Sequence, residues 1–390
     1  MAKIEVLTGT GAAAYAAKLA RVEVVPAYPI TPQSATVEYI ASMIADGELD
    51  AEYVEVESEN TAMSICQGAS IAGCRVFTAT SSVGLAYMHS PVWHAASLRL
   101  PIVMAIANRA IGIASLWCDH SDAIELRDTG WMQFYAENNQ EILDTIIQAY
   151  RIAEDKRILL PAMVNFDGFY LSHLADSLEI PDQDAVDEFL PRYKPDHVYL
   201  DPDRPIRYGG LATPEDFTEY RYKQHEGLES AKSVITEVGE AYGKAFGRKY
   251  GLLDEYRVGD AEAVLVTIGS MTGTARAVVD KLRAEGKSVG LVKLRTYRPF
   301  PAEALRSLLA GKRAVGVVER SISAGSWGSA FSEVRAALYD MPERPIVLGF
   351  VVGLGGRDVR LEDLEKAARK TFEARERRQD EKMEWVQVRL

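Results

Sequence analysis

The stretch "VEVVPAYPITPQS", Val22 to Ser34, decides the fold class, because a β-branched apolar run gives way there to the start of a helix. Valine-rich runs favour strands, and the prolines that follow this run end the strand. A strand followed directly by a helix is the repeating unit of α/β proteins. The stretch therefore predicts an α/β fold.

Similar runs recur through the first 175 residues and alternate with longer segments rich in small residues. The strands are predicted in "VEVVPAY", "YVEVESE", "CRVFTAT", "LPIVMAIA" and "LPAMVNF". This alternation predicts a mostly parallel sheet with helices on both faces. Ligands of such sheets bind beyond the carboxyl ends of the strands, so we expect functional residues at the strand-to-helix junctions.

The rest of the chain divides into three further segments. Residues 176–225 are rich in Pro, Asp and Tyr and indicate an ordered crossing segment, and a long charged helix that ends at Gly251 follows. A second run of alternating strands and helices then begins. We predict a first domain over 1–230, a bridging helix over 231–254, a second, smaller α/β domain over 255–375 and a charged tail over 376–390. The end of the chain from Leu364 is predicted as a charged helix with a solvated face, with docking of the final "WVQVRL" on a partner as the alternative.

Composition excludes several classes of function. The 390 residues carry a formal net charge of −12, which disfavours nucleic acid and anionic membranes as partners. The most apolar stretch, residues 100–117, is interrupted by Asn108 and Arg109, so we expect no membrane segment, and the N-terminus lacks the pattern of a signal peptide. A cytoplasmic location fits best.

The cysteines and histidines predict no metal or cluster site in this chain. Cys66, Cys74 and Cys118 form no C-x-x-C pair, so neither a disulfide framework nor an iron–sulfur or zinc site is indicated. The histidines, among them His120, are scattered without metal-ligand spacing, which favours structural roles.

Thr31 has two interpretations. A residue before proline is disfavoured in helical geometry and proline is favoured at the first helical position, so Thr31 is predicted as the N-cap and Pro32 as the first helical residue. Alternatively, its hydroxyl faces a ligand, because a helix N-terminus at the end of a strand attracts carboxylates and phosphates.

Glu59 also has two interpretations. In extended form it shares a face with Tyr53, Glu55 and Glu57, which is typical of a solvated strand edge. The following segment, residues 61–72, is small or apolar on nearly every side, which indicates a buried helix that draws Glu59 inward. A buried carboxylate requires a cationic or protonated partner.

Two more junctions contain candidate residues. The stretch "FTATSSVGLAYMHSP", Phe77 to Pro91, places Thr80, Ser81, Ser82 and Gly84 at another such junction. Small hydroxyl residues and glycine let the backbone approach a ligand closely, although such residues are ordinary in loops. Arg109 ends an apolar strand. It is either a structural bridge to Glu59 or another acid, or a bidentate clamp for a carboxylate ligand.

The chain resembles the alpha subunit of pyruvate:ferredoxin oxidoreductase and of related 2-oxoacid:acceptor oxidoreductases over nearly its whole length. The motifs that carry the resemblance are "YPITP", "EVESENTA", "TSSVGLAYM", "IANRA", "DHSDAIELRDTGWMQFYAENNQE", "LPAMVNFDGFYLSH" and "EYRYKQHE". The resemblance implies a thiamine diphosphate pyrimidine-binding domain followed by a transketolase C-terminal-like domain. It also implies oxidative decarboxylation of a 2-oxo acid, electron transfer to iron–sulfur clusters and acyl transfer to coenzyme A.

The resemblance also assigns cofactor residues. Glu59 matches the glutamate that bonds the pyrimidine ring nitrogen and favours the tautomer that removes the thiazolium proton. The remaining residues that the resemblance places against the cofactor are Pro29, Ile30, Ser82 and Gly84.

For the substrate, the resemblance assigns Thr31 and Arg109 to the oxygens of the 2-oxo acid, and the loop with Ile113 and Trp117 to the far end of the pocket. This loop is more apolar than the Ser-Ala-Pro-type segment usual in the pyruvate enzymes. Pyruvate, an aryl 2-oxo acid such as phenylglyoxylate, and other 2-oxo acids therefore stay open as substrates.

Features missing from the sequence imply partner subunits. No Gly-Asp-Gly segment followed by asparagines, the usual magnesium–diphosphate signature, is present, and the cysteines are too few for a cluster. We therefore expect thiamine diphosphate to be shared with a beta subunit at the boundary of the two chains, no metal ligands here, and iron–sulfur clusters only on partners, including gamma and ferredoxin-like delta subunits.

The sequence disfavours two functions of other classes. A non-catalytic scaffold would not need Thr31, Glu59 and Arg109 together. A flavodoxin-like binding module is disfavoured because the acidic "EVESEN" junction would repel a phosphate.

Overall fold

The computed structural model describes residues 3–376 and 382–389 of the chain. Its first part alternates strands with helices and ends in a long helix. The elements are β1 (Lys3–Thr8), α1 (Gly9–Leu19), β2 (Val24–Ala27), α2 (Ser34–Ala45), β3 (Glu52–Glu55), α3 (Glu59–Ile71), β4 (Phe77–Thr80), α4 (Ser82–Tyr87), α5 (His89–Ser97), β5 (Val103–Asn108), α6 (Ser121–Ile124), β6 (Met132–Tyr135), α7 (Asn139–Ala153), β7 (Ala162–Asp167), β8 (Ala175–Ile180), α8 (Gln183–Phe189) and α9 (Pro214–Phe246).

The central sheet of this part is parallel along β4, β5, β7 and β6, with β5 and β7 in the middle. A parallel bridge between Val24 and Val76 links β4 to the pair β2 and β3. Every residue of β5 is buried, as expected for a strand with helices on both faces. The α/β prediction is confirmed, and each of the five predicted strands is present.

The crossing segment contains two regular elements that its sequence did not indicate. Residues 175–180 form β8, which pairs antiparallel with β1, and α8 follows. The sequence of β8 does not show the alternation of apolar residues typical of strands, because most of β8 is exposed.

Helix α9 ends at Phe246 rather than at Gly251, because Gly247 takes the left-handed conformation (φ 78°) that ends helices.

The second part of the chain has its own α/β core. Its elements are β9 (Leu253–Tyr256), β10 (Ala263–Thr267), α10 (Met271–Ala284), β11 (Val289–Leu294), β12 (Thr296–Arg298), α11 (Ala302–Leu309), β13 (Ala314–Glu319), α12 (Ser329–Leu338), β14 (Ile346–Val351), a 3-10 helix (Leu354–Gly356), α13 (Leu361–Ala374) and β15 (Met383–Trp385). Six strands form one sheet in the order β15, β14, β13, β10, β11, β9, with an apolar cluster on each face.

The helix predicted from Leu364 is present as the last part of α13, but Leu364, Ala367 and Ala368 on it are buried. Helix α13 ends at Ala374, and β15 pairs parallel with β14 at the sheet edge. The parts of the predicted tail at residues 377–381 and 390 lie outside the described residues.

The two parts of the chain share backbone pairing and buried charges. β12, which belongs to the second part, pairs antiparallel with β6 of the first sheet. Glu141 on α7 forms buried ion pairs with Lys293 and with Arg295, the latter at 3.2 Å. Among the described residues, no helix is long and apolar enough to cross a membrane.

Candidate active site

Glu59 is the first residue of α3, directly after the N-cap Ser58, whose hydroxyl accepts a hydrogen bond from the Thr61 N–H. The cap fixes the start of the helix, and the Glu59 side chain is only 7% exposed. Within the described part of the chain it has no hydrogen-bond donor and no cation as a partner. Because an uncompensated buried carboxylate is costly, this side chain is a candidate for binding a group from outside the chain.

Gly84 on α4 lets the Glu59 carboxylate pack directly against its backbone. A Cβ atom at Gly84 would lie 2.5 Å from Glu59 Oε1 and 2.7 Å from Thr80 Oγ1. The Thr80 hydroxyl is itself buried and without a hydrogen-bond partner. The carboxylate and the hydroxyl therefore lie next to each other beside Gly84. Both fit a heterocycle with ring nitrogens and an amino group, such as the aminopyrimidine of thiamine diphosphate.

Arg109 follows β5 and lies close to Thr31. Its Nη1 donates to the Thr31 carbonyl oxygen at 2.9 Å, and its Nε donates to the Ser115 carbonyl oxygen at 2.6 Å. No carboxylate pairs with its guanidinium among the described residues, so the predicted structural bridge to Glu59 or another acid is wrong. Nη2 has no acceptor in the same part of the chain and is available to a ligand.

Thr31 is not the N-cap of α2. The N–H of Gln33 donates to the Ile30 carbonyl at 2.9 Å, which forms a turn, and the helix starts only at Ser34 with Gln33 as its cap residue. The capping prediction is wrong. The preferences of proline and of the residue before it are met equally by the first turn of a helix and by a separate turn that precedes the helix, and here the separate turn is formed. Thr31 and Pro29 are exposed on this segment, and Ile30 is half-buried.

Asp122 is a buried acid beside two of the candidate residues, and the sequence did not single it out. Its Oδ2 accepts from the backbone N–H groups of Ser82 at 3.0 Å and Arg109 at 2.9 Å, while Oδ1 accepts from Asn108 Nδ2 at 2.9 Å. Complete burial raises the pKa of Asp122 to about 6, although these hydrogen bonds oppose the shift. The sequence offered one indication of its burial, which is that the acid stands directly before two apolar residues, Ala123 and Ile124.

The loop from Ala110 to Trp117 is closed by a hydrogen bond from the Ala110 N–H to the Trp117 carbonyl at 2.9 Å. The Trp117 ring lies 6.2 Å from that of Phe169, and Gly356 of the second part packs against Trp117. Ile113 is 92% exposed. The structure thus brings Trp117 and Arg109 together on one loop, while Ile113 points away from the described chain.

A second polar cluster lies behind this loop. Cys118, His120 and Asp167 place ligand-type atoms within 4.8 Å of one another, which sequence spacing did not reveal. The guanidinium of Arg320 approaches Asp167 to 3.8 Å, and this positive charge disfavours a metal ion. Burial opposes ionisation of Asp167, but the charges of His120 and Arg320 hold its pKa well below the usual range.

A separate cavity of about 840 Å³ lies between α9 and helices α11 and α12. Lys232 in its wall pairs with Glu229 at 2.8 Å, and Arg298 pairs with Glu333 at 2.5 Å. None of the predicted site residues lines it. Because these charges are already paired, we do not favour it as the functional site.

Comparison with known proteins gives a family match for each part of the chain. Residues 15–240 match the family described as pyruvate flavodoxin/ferredoxin oxidoreductase, thiamine diphosphate-binding, and residues 261–364 match core domain II of pyruvate:ferredoxin oxidoreductase. The chain is 50% identical to pyruvate synthase subunit PorA of Pyrococcus abyssi, over 98% of each chain. It is 46% identical to ketoisovalerate oxidoreductase subunit VorA of Pyrococcus horikoshii, over 99% of this chain and 98% of the relative.

Two solved structures share the fold. A 2-oxoglutarate:ferredoxin oxidoreductase from Magnetococcus marinus, solved with 2-oxoglutarate, coenzyme A and succinyl-CoA bound, superposes with a TM-score of 0.75 at 20% identity. The match covers 95% of this chain and 65% of that one. An inactive β4 tetramer of a split-gene transketolase gives a TM-score of 0.53 at 14% identity, over 92% of this chain and 97% of that one.

The relatives named here act on pyruvate or ketoisovalerate according to their names, so the expectation of phenylglyoxylate has no support. The predicted resemblance and fold class are confirmed over both parts of the chain. The chain therefore belongs to the pyruvate:ferredoxin oxidoreductase family and carries its thiamine diphosphate-binding domain.

Proposed function

We propose that this chain is the alpha-type subunit of an enzyme that converts pyruvate and coenzyme A to acetyl-CoA and carbon dioxide, with two electrons passed to iron–sulfur clusters. Its own task is to hold the aminopyrimidine of thiamine diphosphate and the carboxylate of the substrate. The observation that carries this proposal is the buried Glu59, which has no partner among the described residues and packs against Gly84 beside the unpartnered Thr80 hydroxyl.

Glu59 accepts a hydrogen bond from a pyrimidine ring nitrogen and holds the proton there. Such a charge-assisted bond is short and about twice as strong as a neutral one, which offsets the cost of burying the carboxylate. Thr80, buried and unpartnered beside it, offers a hydroxyl to the same ring. Ser82 and Gly84 bring the backbone close to the cofactor, and Pro29 and Ile30 lie on the adjoining segment. When bound, thiamine diphosphate supplies the electron sink for decarboxylation.

Arg109 binds the carboxylate of the 2-oxo acid, and the Thr31 hydroxyl contacts a second oxygen. The carbonyls of Ser115 and Thr31 hold the guanidinium in place, so its orientation is fixed before substrate arrives. Trp117 and its loop shape the far end of the pocket. Pyruvate is supported as the substrate by the names of the relatives at 48–50% identity.

Partner subunits complete the enzyme. The chain lacks a Gly-Asp-Gly segment, so a beta subunit holds the diphosphate and its magnesium ion, and gamma and ferredoxin-like delta subunits complete the assembly. The clusters lie on partners, since the chain has only three cysteines and all are free thiols, which fits the reducing cytoplasm. We also propose that the first domain ends at about residue 230 and that the second domain begins at about residue 255.

The test is Glu59→Gln in the complex assembled with its partner subunits. Losing a positioned proton partner costs about 10²–10⁴-fold in rate. The matched control is Glu55→Gln, which changes an exposed acid on β3. Activity is measured with pyruvate, coenzyme A and a viologen dye, and cofactor affinity by calorimetry. Activity of Glu59→Gln within a few-fold of the parent would contradict the proposed role.

A further inference from the structure

Asp122 is a fully buried acid for which the proposed function gives no role. It lies in the short helix α6, and its hydrogen-bond partners come from Ser82, Arg109, Asn108 and Ala123. No basic side chain pairs with it in the described part of the chain. A buried carboxylate without a counter-charge requires strong donors at its oxygens to offset desolvation.

The arrangement of these donors is specific. One oxygen, Oδ2, accepts both from Ser82 N at 3.0 Å and from Arg109 N at 2.9 Å. Ser82 follows β4 and Arg109 follows β5, and these two strands are parallel neighbours. Asp122 Oδ2 therefore binds both the start of α4, which contains Gly84, and the start of the loop that begins at Arg109.

We propose that Asp122 is a positioning residue that fixes the cofactor-side turn at Ser82 relative to the substrate-side Arg109. The inference rests on the proposed function of those two residues. A full negative charge suits this task, because one oxygen shared by two N–H donors divides its acceptor strength between them. A neutral amide in its place either accepts both bonds weakly or turns its own N–H₂ group toward them.

The chain offers a matched control in Asp144 on α7. It is also fully buried, and its carboxylate accepts from the Tyr242 and Tyr250 hydroxyls at 2.8 and 2.7 Å and from Arg248 Nε at 2.6 Å. These partners connect α7 to α9 and to the residues after it, and none of them is a proposed site residue. Asp144→Asn therefore reports what weakening a buried acid does to stability alone.

The experiment compares Asp122→Asn and Asp144→Asn in the assembled complex by melting temperature, Kd for thiamine diphosphate and KM for pyruvate. We expect Asp122→Asn to raise both constants by about fivefold or more, the equivalent of roughly one weakened hydrogen bond at each junction. Asp144→Asn is expected to lower the melting temperature while leaving both constants within about twofold.

The inference is overturned if Asp122→Asn lowers only the melting temperature or changes only one constant. If that complex does not assemble, Asn108→Ser decides, because it removes the side-chain donor that orients Oδ1. Asn108→Ser should raise both constants, and unchanged constants overturn the inference.

The variants Arg109→Lys and Glu59→Gln distinguish the two proposals. If both variants leave activity intact, the proposed function fails. If both impair activity while Asp122→Asn is silent, only the present inference fails.

Discussion

Arg109 Nη1 lies 2.9 Å from the carbonyl oxygen of Thr31, and this hydrogen bond ties the end of β5 to the segment that follows β2. The tether uses the backbone of Thr31, so the threonine hydroxyl stays independent of it. The two residues can therefore be tested separately, although the family resemblance assigns both to the substrate.

Arg109→Lys should lower kcat/KM by about 10-fold or more for every 2-oxo acid, because lysine keeps the charge but loses the planar fork that grips a carboxylate. Thr31→Ala leaves the tether intact and should show a smaller loss, confined to the hydroxyl contact. Steady-state kinetics with pyruvate give both values. An equal loss in the two variants would contradict separate roles.

Gly84→Ala should weaken binding of thiamine diphosphate, because the added methyl group would lie 2.5 Å from Glu59 Oε1. The control is Gly68→Ala on the same side of the fold, where an added Cβ meets nothing within 4 Å on α3. That control should be neutral or stabilising by about 0.5–1 kcal/mol, since alanine is the better helix former. Calorimetric titration of each complex measures the difference, and equal affinities would argue against a cofactor at Gly84.

Gly356→Ala should raise KM for pyruvate while leaving cofactor affinity unchanged, because its Cβ would lie 2.2 Å from Trp117 Cβ and displace the substrate loop. Gly325→Ala is the matched control. It has a similar φ, 77° against 75°, so it carries the same backbone strain, but nothing lies within 4 Å of its Cβ. Similar KM values in the two variants would show that strain, not the contact with Trp117, is responsible.

Asp167→Asn should lower the free energy of unfolding by about 3–5 kcal/mol at neutral pH, because it leaves the buried Arg320 uncompensated. The pKa of Asp167 is depressed in the folded state, so its stabilising contribution is present above the unfolded value near 4 and is lost as pH falls below it. The difference between parent and variant, followed by thermal unfolding, should therefore shrink only in acid. The exposed Asp260→Asn should show little effect at any pH.

Pyruvate should be turned over with a higher kcat/KM than 2-oxoisovalerate or phenylglyoxylate. Apolar pockets discriminate by roughly 1–3 kcal/mol per methylene-sized change, so a preference of about tenfold or more is expected between the first two acids. A panel assay with the viologen dye decides this. Faster turnover of 2-oxoisovalerate would assign the complex to the ketoisovalerate type instead.

The sequence predicted those features that depend on neighbouring residues in the chain, and it did not predict those that depend on contacts between distant residues. The burial of Glu59 followed from the apolar helix directly after it, and the five strands from their β-branched runs. Thr80 was indicated only by its place at a strand-to-helix junction. Asp122 carries no local mark, because its importance comes from atoms at the ends of two neighbouring strands. The contact between Gly356 and Trp117 joins residues far apart in the chain, so no local pattern indicates it.

The position of β12 decides where this protein can be cut into fragments. This strand leaves the second part of the chain and completes the first sheet by pairing with β6. A fragment that stops within the predicted bridging helix would expose the edge of β6, and an open strand edge invites pairing with other molecules. Truncations designed on the apparent modularity of the sequence should therefore aggregate, whereas a fragment that retains Thr296–Arg298 protects that edge.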